Sequence, residues 1–522
     1  MDGDVRSSFW TAVKSRNLLG AEDVAKHMST CQTLTRSIVN PIWSVSLFFQ
    51  WVAFATAVAD SVPARRENPS LCVTDSIVDR GGLNFAQGAY GTCINGQTFQ
   101  QEALVSFRGY QYAAYFREGG VLCVGRRKLP SGEWQSICFL DTVIRNTDVH
   151  NVAVIGICPA DGTIHLAFDH HCGPMHYKRS TANLALHPEQ FQWTLDQFGK
   201  TTNALVVGQP LPDVTYPQFF AVPNGNLQLL FRRGTSGDGD WHLAEYNPAA
   251  QGWTLLGILF SRVGEFETSP SRCAYPNPLR YGPDQRLHVT WCWRERPKDG
   301  PTDLRTNHDL GYAYSDDFGR SWKNNGGEVV TVIDGSQEKI APSIQLNTPG
   351  AVVRRTRYLL GQMNTTTEHV DSSGIVHVIN WQHQQDAAAA SMDMNTWRYY
   401  HYWREPEGKW NEGQLPFFGR KPQIVVDRAG KAYVVYCQGK NLNYHGQDPG
   451  GRLTVAVADQ RTRWQDWKTL WTSSLKHVGE PLLDLARWNA EQVLSIYTQE
   501  QPVKPGAPSP LHVVDIRAVE GL

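Results

Sequence analysis

Apolar and polar residues alternate in short runs that start after a turn and end on an aromatic. The runs are YQYAAYF after Arg108-Gly109, TIHLAF after Asp161-Gly162, NLQLLF after Asn224-Gly225 and RLHVTW after Asp284-Gln285. They continue as IVHVINW after Ser373-Gly374, KAYVVY after Ala429-Gly430 and QVLSIY after Ala490-Glu491. A period of two bounded by turn residues predicts strands. The runs recur every 50–65 residues or so, with one longer interval that carries an insertion. Seven copies at that period predict an all-β fold, a seven-bladed β-propeller. The stretch Leu83–Phe99 is expected to complete the last blade, so that ring closure leaves no open sheet edge.

A local pattern points the same way. Ser315-Asp316-Asp317-Phe318-Gly319-Arg320-Ser321-Trp322 fits S-x-D-x-G-x-x-W. It predicts a β-turn in which an aspartate accepts amide hydrogens and the tryptophan packs inward. The alternative is a chance match in a turn-rich chain.

Composition changes little. The 45 glycines, 18 tryptophans, 19 tyrosines and 20 phenylalanines suit a turn-rich β protein. Some aromatics could stack on sugars, but core packing accounts for most of them. Charge is balanced, 49 basic against 50 acidic residues. This argues against nucleic acid as a partner and gives no sign of a membrane-surface patch.

The N-terminal part reads as an extension and signal peptide over residues 1–59, followed by a single catalytic propeller domain over 60–522. Arg36 precedes an apolar run from Ile42 to Ala59, which ends in Ala57-Val58-Ala59, a small-x-small cleavage pattern. Residues 1–27 are polar, and a start at Met28 would leave a conventional signal peptide. A membrane anchor is the alternative reading of the run. The expectation is a secreted, extracellular monomer with no membrane association after cleavage. Of ten cysteines, Cys31 would leave with the signal. The other nine show no CxxC spacing, and an odd count leaves at least one free thiol in a secreted protein.

Chemistry concentrates at the ends of consecutive repeats. Asp148-Val149-His150-Asn151 lies before one strand pattern, and Asp169-His170-His171 follows the next turn of chain. Thr215-Tyr216-Pro217 and Phe231-Arg232-Arg233 hold the same relation one repeat later. A histidine titrates near neutrality. A tyrosine beside an arginine can share proton transfer, and an arginine can bind a carboxylate. A cation, a base and an acid are what β-elimination from a uronic acid requires: the cation neutralises the C6 carboxylate, the base takes the C5 hydrogen and the acid protonates O4. By contrast His165, His288 and His377 fall inside strand patterns and read as structural. Asp169, His170 and His171, with Cys172, Cys273, Cys292 and His308, leave a structural zinc or calcium open, although no spacing rule selects them. No cofactor is required by the chemistry.

The motifs DVHN (148–151), DGTIHLAFDHH (161–171), VTYPQFF (214–220) and FRRGTSGDGDWHL (231–243) resemble those of the BNR-repeat, seven-bladed propeller family of polysaccharide lyases. That family includes ulvan lyases, L-rhamnose-α-1,4-D-glucuronate lyases acting on gum arabic, and related rhamnosidases. The resemblance runs from about Leu83 to the C-terminus. It implies a catalytic centre of His150, His170, Tyr216 and Arg232 acting on a uronic-acid-containing polysaccharide. His170 and Tyr216 would move protons, and Arg232, helped by His150, would neutralise the uronate. Asn151, His171, Arg233, Trp241 and Arg294 would line the sugar site. The choice between the adjacent His170 and His171 stays open.

The implied activity is a secreted lyase cleaving a rhamnose–glucuronate linkage in gum arabic-type side chains, with ulvan as the other substrate. An α-L-rhamnosidase on the same scaffold is the alternative. Ordinary glycosidases use a carboxylate pair, and no acidic pair is seen at the blade ends that hold the histidines, except for Asp169. A sialidase lacks support, because its Phe-Arg-Ile-Pro start and arginine triad have no counterpart. A non-catalytic sugar-binding propeller ranks last, since Tyr216 and Arg232 are both present.

Overall fold

Each of the seven alternating runs lies in a strand; a Gly- or Asx-bearing turn delivers the chain into six of them, and the short helix Leu485–Glu491, capped by Gln492 in the left-handed region, into the seventh. The computed structural model describes residues 71–518, apart from 101, 336–341, 390, 440–447 and 449. The expected N-terminal extension and signal peptide lie outside the described residues. Within them the protein is all-β, with 30 strands and one short α-helix, Leu485–Glu491. No helix among the described residues is long and apolar enough to cross a membrane.

The strands form consecutive antiparallel meanders. The first comprises Leu104–Phe107, Tyr110–Arg117, Val121–Lys128 and Gln135–Val143. The second is Ala153–Ile157, Ile164–Phe168 and Tyr177–Arg179. The third is Val214–Ala221, Leu227–Thr235, Asp238–Asn247 and Gly252–Phe260. Arg272–Pro276, Leu287–Glu295, Asn307–Ser315 and Ser321–Lys323 follow, then Thr367–Val370, Val376–Gln382, Arg398–Arg404 and Trp410–Gln414. Gln423–Val426, Lys431–Cys437, Gly451–Asp459 and Lys468–Leu483 make the next. Edge pairing joins some meanders, giving sheets of eleven, twelve, four and three strands.

The alternating run is the second strand of each meander, packed on both faces. Ile164–Phe168 is buried at every position. That explains the polar residues inside the runs. His165 is fully buried between Thr163 and the Tyr177 hydroxyl. His288 meets the Tyr312 hydroxyl at 2.8 Å, and His377 lies between Asp371 and His401. Each polar side chain carries its partner with it, as burial demands.

The segment expected to close the fold is displaced. Leu83–Phe99 is not a strand; its backbone makes isolated bridges, Asn84 to Cys93 and Ala89 to Asp148. Three glycines interrupt it, Gly91 and Gly96 with left-handed φ of 142° and 87°. The pairing falls instead to Leu71–Gly82, which runs antiparallel to Ser509–Ala518 from Leu71↔Ala518 to Gly82↔Ser509. Ser509–Ala518 in turn pairs with Leu494–Glu500. The last meander is thus completed by the first described strand. The cysteines also resolve: Cys123 and Cys138, on neighbouring strands, form a disulfide. Seven free thiols remain among the described residues.

The Asp-box turn forms as its pattern predicts. Asp317 Oδ1 accepts the Arg320 and Ser321 amides at 3.2 and 2.8 Å and the Ser315 hydroxyl at 2.7 Å. Gly319 takes φ 84°. Trp322 is fully buried and donates Nε1 to the Gly319 carbonyl at 2.9 Å. Losing this carboxylate removes the acceptor of two amides and two hydroxyls, at about 0.5–1.5 kcal/mol for each bond. Asp317→Ala is therefore expected to lower the urea midpoint measurably while leaving the site described below intact. An unchanged midpoint would mean that the turn is held by Trp322 packing alone.

Candidate active site

The site grows from a turn, a bulge and two strands. In the turn, Asp148 accepts the His150 amide at 2.9 Å and His150 Nδ1 at 2.6 Å from one carboxylate oxygen. Its other oxygen meets His171 Nδ1 at 2.5 Å. The two imidazoles stack, with centroids 4.2 Å apart. One carboxylate thus orients two histidines, and a ring that donates through Nδ1 presents an unprotonated Nε2. Burial pushes His150 down to about 4, although Asp148 works the other way. Burial opposes the charge of Asp148, but the hydrogen bonds from His150 and His171 prevail and hold it below the usual carboxylate range.

Tyr216 comes from a bulge. The pairing steps from Thr215↔Arg232 to Gln218↔Leu230, so Tyr216 and Pro217 together face a single residue. Tyr216 takes a left-handed φ of 54°, which costs a non-glycine residue on the order of 1–3 kcal/mol. A bulge re-aims a side chain. Here it brings the ring within 5.7 Å of His150 and 5.2 Å of Phe99. Arg232, across the ladder, sets its guanidinium 4.9 Å from the Tyr216 ring centroid. It is fully buried and donates to the Tyr275 hydroxyl at 3.2 Å. Burial disfavours its charge, but Tyr275, Cys273, Tyr216 and Cys172 outweigh that and keep it cationic.

The sequence-chosen residues therefore separate. His150, His171, Tyr216 and Arg232 form one continuous row. His170 does not join it: its Nε2 accepts the His176 amide at 2.8 Å, and its pKa falls to about 3 through burial. Trp241, expected on the sugar surface, is completely buried; it stacks beneath Tyr216 at 6.2 Å and bonds the Ala274 carbonyl. Arg233 alternates to the opposite face from Arg232 and pairs with Asp213 at 2.7 Å. Asn151 braces the turn through Asn146 at 2.6 Å. Arg294 is buried, sharing the Tyr275 hydroxyl with Arg232 at 3.0 Å and holding Asn364 at 2.8 Å.

Four participants were missed in the sequence. Asp148 stood in the DVHN motif without a role, although an aspartate two residues before a histidine is a recognisable signal. Phe99 stacks on His150 at 4.9 Å. Tyr90 is 44% exposed and lies edge-on to His150 at 4.6 Å and to His171 at 5.9 Å, an open aromatic face beside both imidazoles. Tyr275 ties the two arginines together. As for a metal, Cys172, Cys273, Cys292 and His308 are not gathered. Among the described residues the one cluster with compatible spacing is Asp148, His150 and His171, whose ligand atoms lie within 4.8 Å of one another.

A family model described as "BNR repeat-containing family member" matches residues 110–417. The long-isoform ulvan lyase of Pseudoalteromonas sp. (strain PLSV) is 24% identical over 364 residues, covering 59% of this chain and 35% of that protein. This chain therefore spans about a third of that relative's length. Among solved structures, the polysaccharide lyase Uly1 superposes with a TM-score of 0.66 at 19% identity, covering 85% of this chain and 99% of the other. A PL25 ulvan lyase bound to -[GlcA(1-4)Rha3S]- gives 0.58 at 14% identity, covering 85% and 95%. These likenesses are ones of fold.

Proposed function

The chain belongs to the BNR repeat-containing family, and on that premise we propose that it is a polysaccharide lyase with a seven-bladed propeller fold. Seven antiparallel meanders, the last completed by Leu71–Gly82, support the propeller. The proposed reaction is β-elimination at a glucuronate that carries rhamnose on O4. The similarity to ulvan lyases supports this class of linkage. Gum arabic side chains and ulvan both contain it. The Cys123–Cys138 disulfide supports a secreted, oxidising setting.

The observation that carries the reading is the row His171, His150, Tyr216, Arg232, with Asp148 behind the histidines. Near neutral pH a histidine pushed down to about 4 is an unprotonated base, whereas a phenol is still an acid. We therefore assign removal of the C5 hydrogen to His150 Nε2 and protonation of O4 to Tyr216. His171 replaces His170 as the second histidine of the site. Arg232, enclosed against the Tyr216 ring, stabilises the phenolate left when that proton departs. Because His150 is neutral at working pH, it does not share the neutralising role that the family pattern suggested.

The test is incubation of the purified protein with gum arabic and, separately, with ulvan. Ultraviolet absorbance of a 4,5-unsaturated uronate and release of free rhamnose are followed together. Absorbance on either polymer, lost in His150→Ala, is the expected result. Absorbance with free rhamnose on gum arabic assigns exo cleavage there, and absorbance on ulvan alone assigns the other substrate. Rhamnose without absorbance would overturn elimination in favour of hydrolysis.

A further inference from the structure

A lysine outside every motif of the chain lies in the same cavity as His150. Lys421 enters the strand Gln423–Val426 from Arg420 and is only 5% exposed. Its ammonium is 5.5 Å from the centroid of Phe99, the ring that stacks on His150. The cavity between them is lined by Phe99, His150, Arg420, Lys421 and the acidic Asp448 and Glu480, among others, and has a volume of about 60 Å³. A space of that size holds on the order of four waters. It has room for a carboxylate or a sulfate.

The neighbouring charges are already committed. Arg420 pairs with Asp448 at 3.0 Å. Asp448 also accepts the Gly450 and Gly479 amides at 3.0 and 2.6 Å. Glu480 accepts the Thr98 amide at 2.6 Å. Among the described residues Lys421 donates no hydrogen bond. Burial pulls its amine below the ordinary range, with Glu480 working partly against this. Glu480 is the nearby counter-charge, but the ammonium, set over a π face, has no hydrogen-bond acceptor among the described residues and gains from a bound oxyanion. Arg232 cannot fill this position, because its guanidinium is fully enclosed and already bonded to Tyr275.

We propose that Lys421 is the cationic end of an anion subsite, taking an acidic group of the sugar bound against His150. That group is the uronate carboxylate or a sulfate ester on the adjoining sugar; both are planar or compact oxyanions that three ammonium hydrogens can meet. The inference rests on the acidic-sugar reading above and adds the residue that recognises the charge. It does not require that elimination follow.

The experiment measures binding rather than turnover. D-Glucuronate and inorganic sulfate are each titrated into wild type, Lys421→Met and Lys421→Arg, at low and high ionic strength. Lys421→Met removes the charge at similar volume, and deleting an unpaired buried cation should not unfold the protein. The expected result is a dissociation constant at least tenfold weaker in Lys421→Met for one of the two anions, with Lys421→Arg within about threefold of wild type. The anion that responds identifies the acidic group. Equal affinity of Lys421→Met and wild type for both anions, or no binding of either by wild type, overturns the subsite. Lysine-dependent binding by a protein that yields no unsaturated product would keep the subsite and sink the lyase.

Discussion

Asp148→Asn is expected to leave the protein folded and to lower turnover by roughly 10⁴-fold, the scale seen when the aspartate of a histidine-orienting pair becomes an amide. The reason is arithmetic of donors and acceptors. Asp148 offers two carboxylate oxygens, at 2.6 Å to His150 Nδ1 and 2.5 Å to His171 Nδ1. Asparagine keeps one acceptor and replaces the other with a donor. One imidazole must then move its proton to Nε2 or turn away. If His150 changes tautomer, the lone pair facing the cavity disappears and with it the base. The loss should fall on kcat more than on KM, because the anionic contacts of the sugar lie elsewhere. Steady-state kinetics of uronate formation across pH check this. In wild type, the acidic limb of kcat/KM should fall near pH 4, where His150 protonates, and not near 6.5. Asp148→Asn with wild-type turnover would show that the carboxylate is only a brace for the turn.

What the sequence disclosed and what it withheld divide along the range of the interactions. The seven second strands were legible because alternation and a flanking turn are local properties, and the Asp-box because all its donors lie within eight residues. The closing strand was not, because Leu71–Gly82 finds its partner at Ser509–Ala518, at the other end of the described chain; the Ser76–Val513 bond alone spans 437 positions. The cluster of His150, Tyr216 and Arg232 was legible from motif order. The identity of the second histidine was not. Asp169 and Cys172 take left-handed φ of 61° and 56°, and that twist on either side decides which of two adjacent imidazoles turns toward Asp148. Trp241 was misplaced for a similar reason. Its register opposite Arg232 puts it beneath the site, where it supports Tyr216 instead of meeting sugar. Lys421 depends on a cavity assembled from segments near positions 90, 150, 364 and 421, and no pattern in one segment announces it.

The second large effect concerns stability in acid. Between pH 7.5 and 5 the folded protein should lose much of its stability, and the urea midpoint should fall steeply and cooperatively. Burial pushes His165, His170, His288 and His369 down to about 3 and His150, His242 and His477 to about 4. His401 is also driven well below its ordinary value, by burial and by His377. A group depressed in the fold contributes stability that is complete above its unfolded pKa. It is lost as pH falls from about 6.5 toward the folded value, because only the unfolded chain takes up the proton. Each such histidine removes at most about 1.4 kcal/mol per pH unit in that window. A quarter of the combined maximum for eight is still about 3 kcal/mol per unit, a large part of a typical folding free energy. His308 and His512 act in the opposite sense. Both are desolvated, but the carboxylates of Asp309 and Glu295 and of Asp75 and Glu500 raise them, so their contribution is present in acid and lost as pH rises. Glu368, pushed up to about 7 by burial, also takes up its proton in the fold within this window and so acts in the same opposite sense. These three groups offset only part of the loss from eight moved down. Urea titrations at pH 7.5, 6.5, 5.5 and 5 measure the slope directly, and His165→Gln should flatten it, since glutamine cannot charge. Midpoints that stay level across this range would mean that the buried histidines already hold protons in the fold. The neutral His150 on which the proposed base depends would then be lost together with the acid sensitivity.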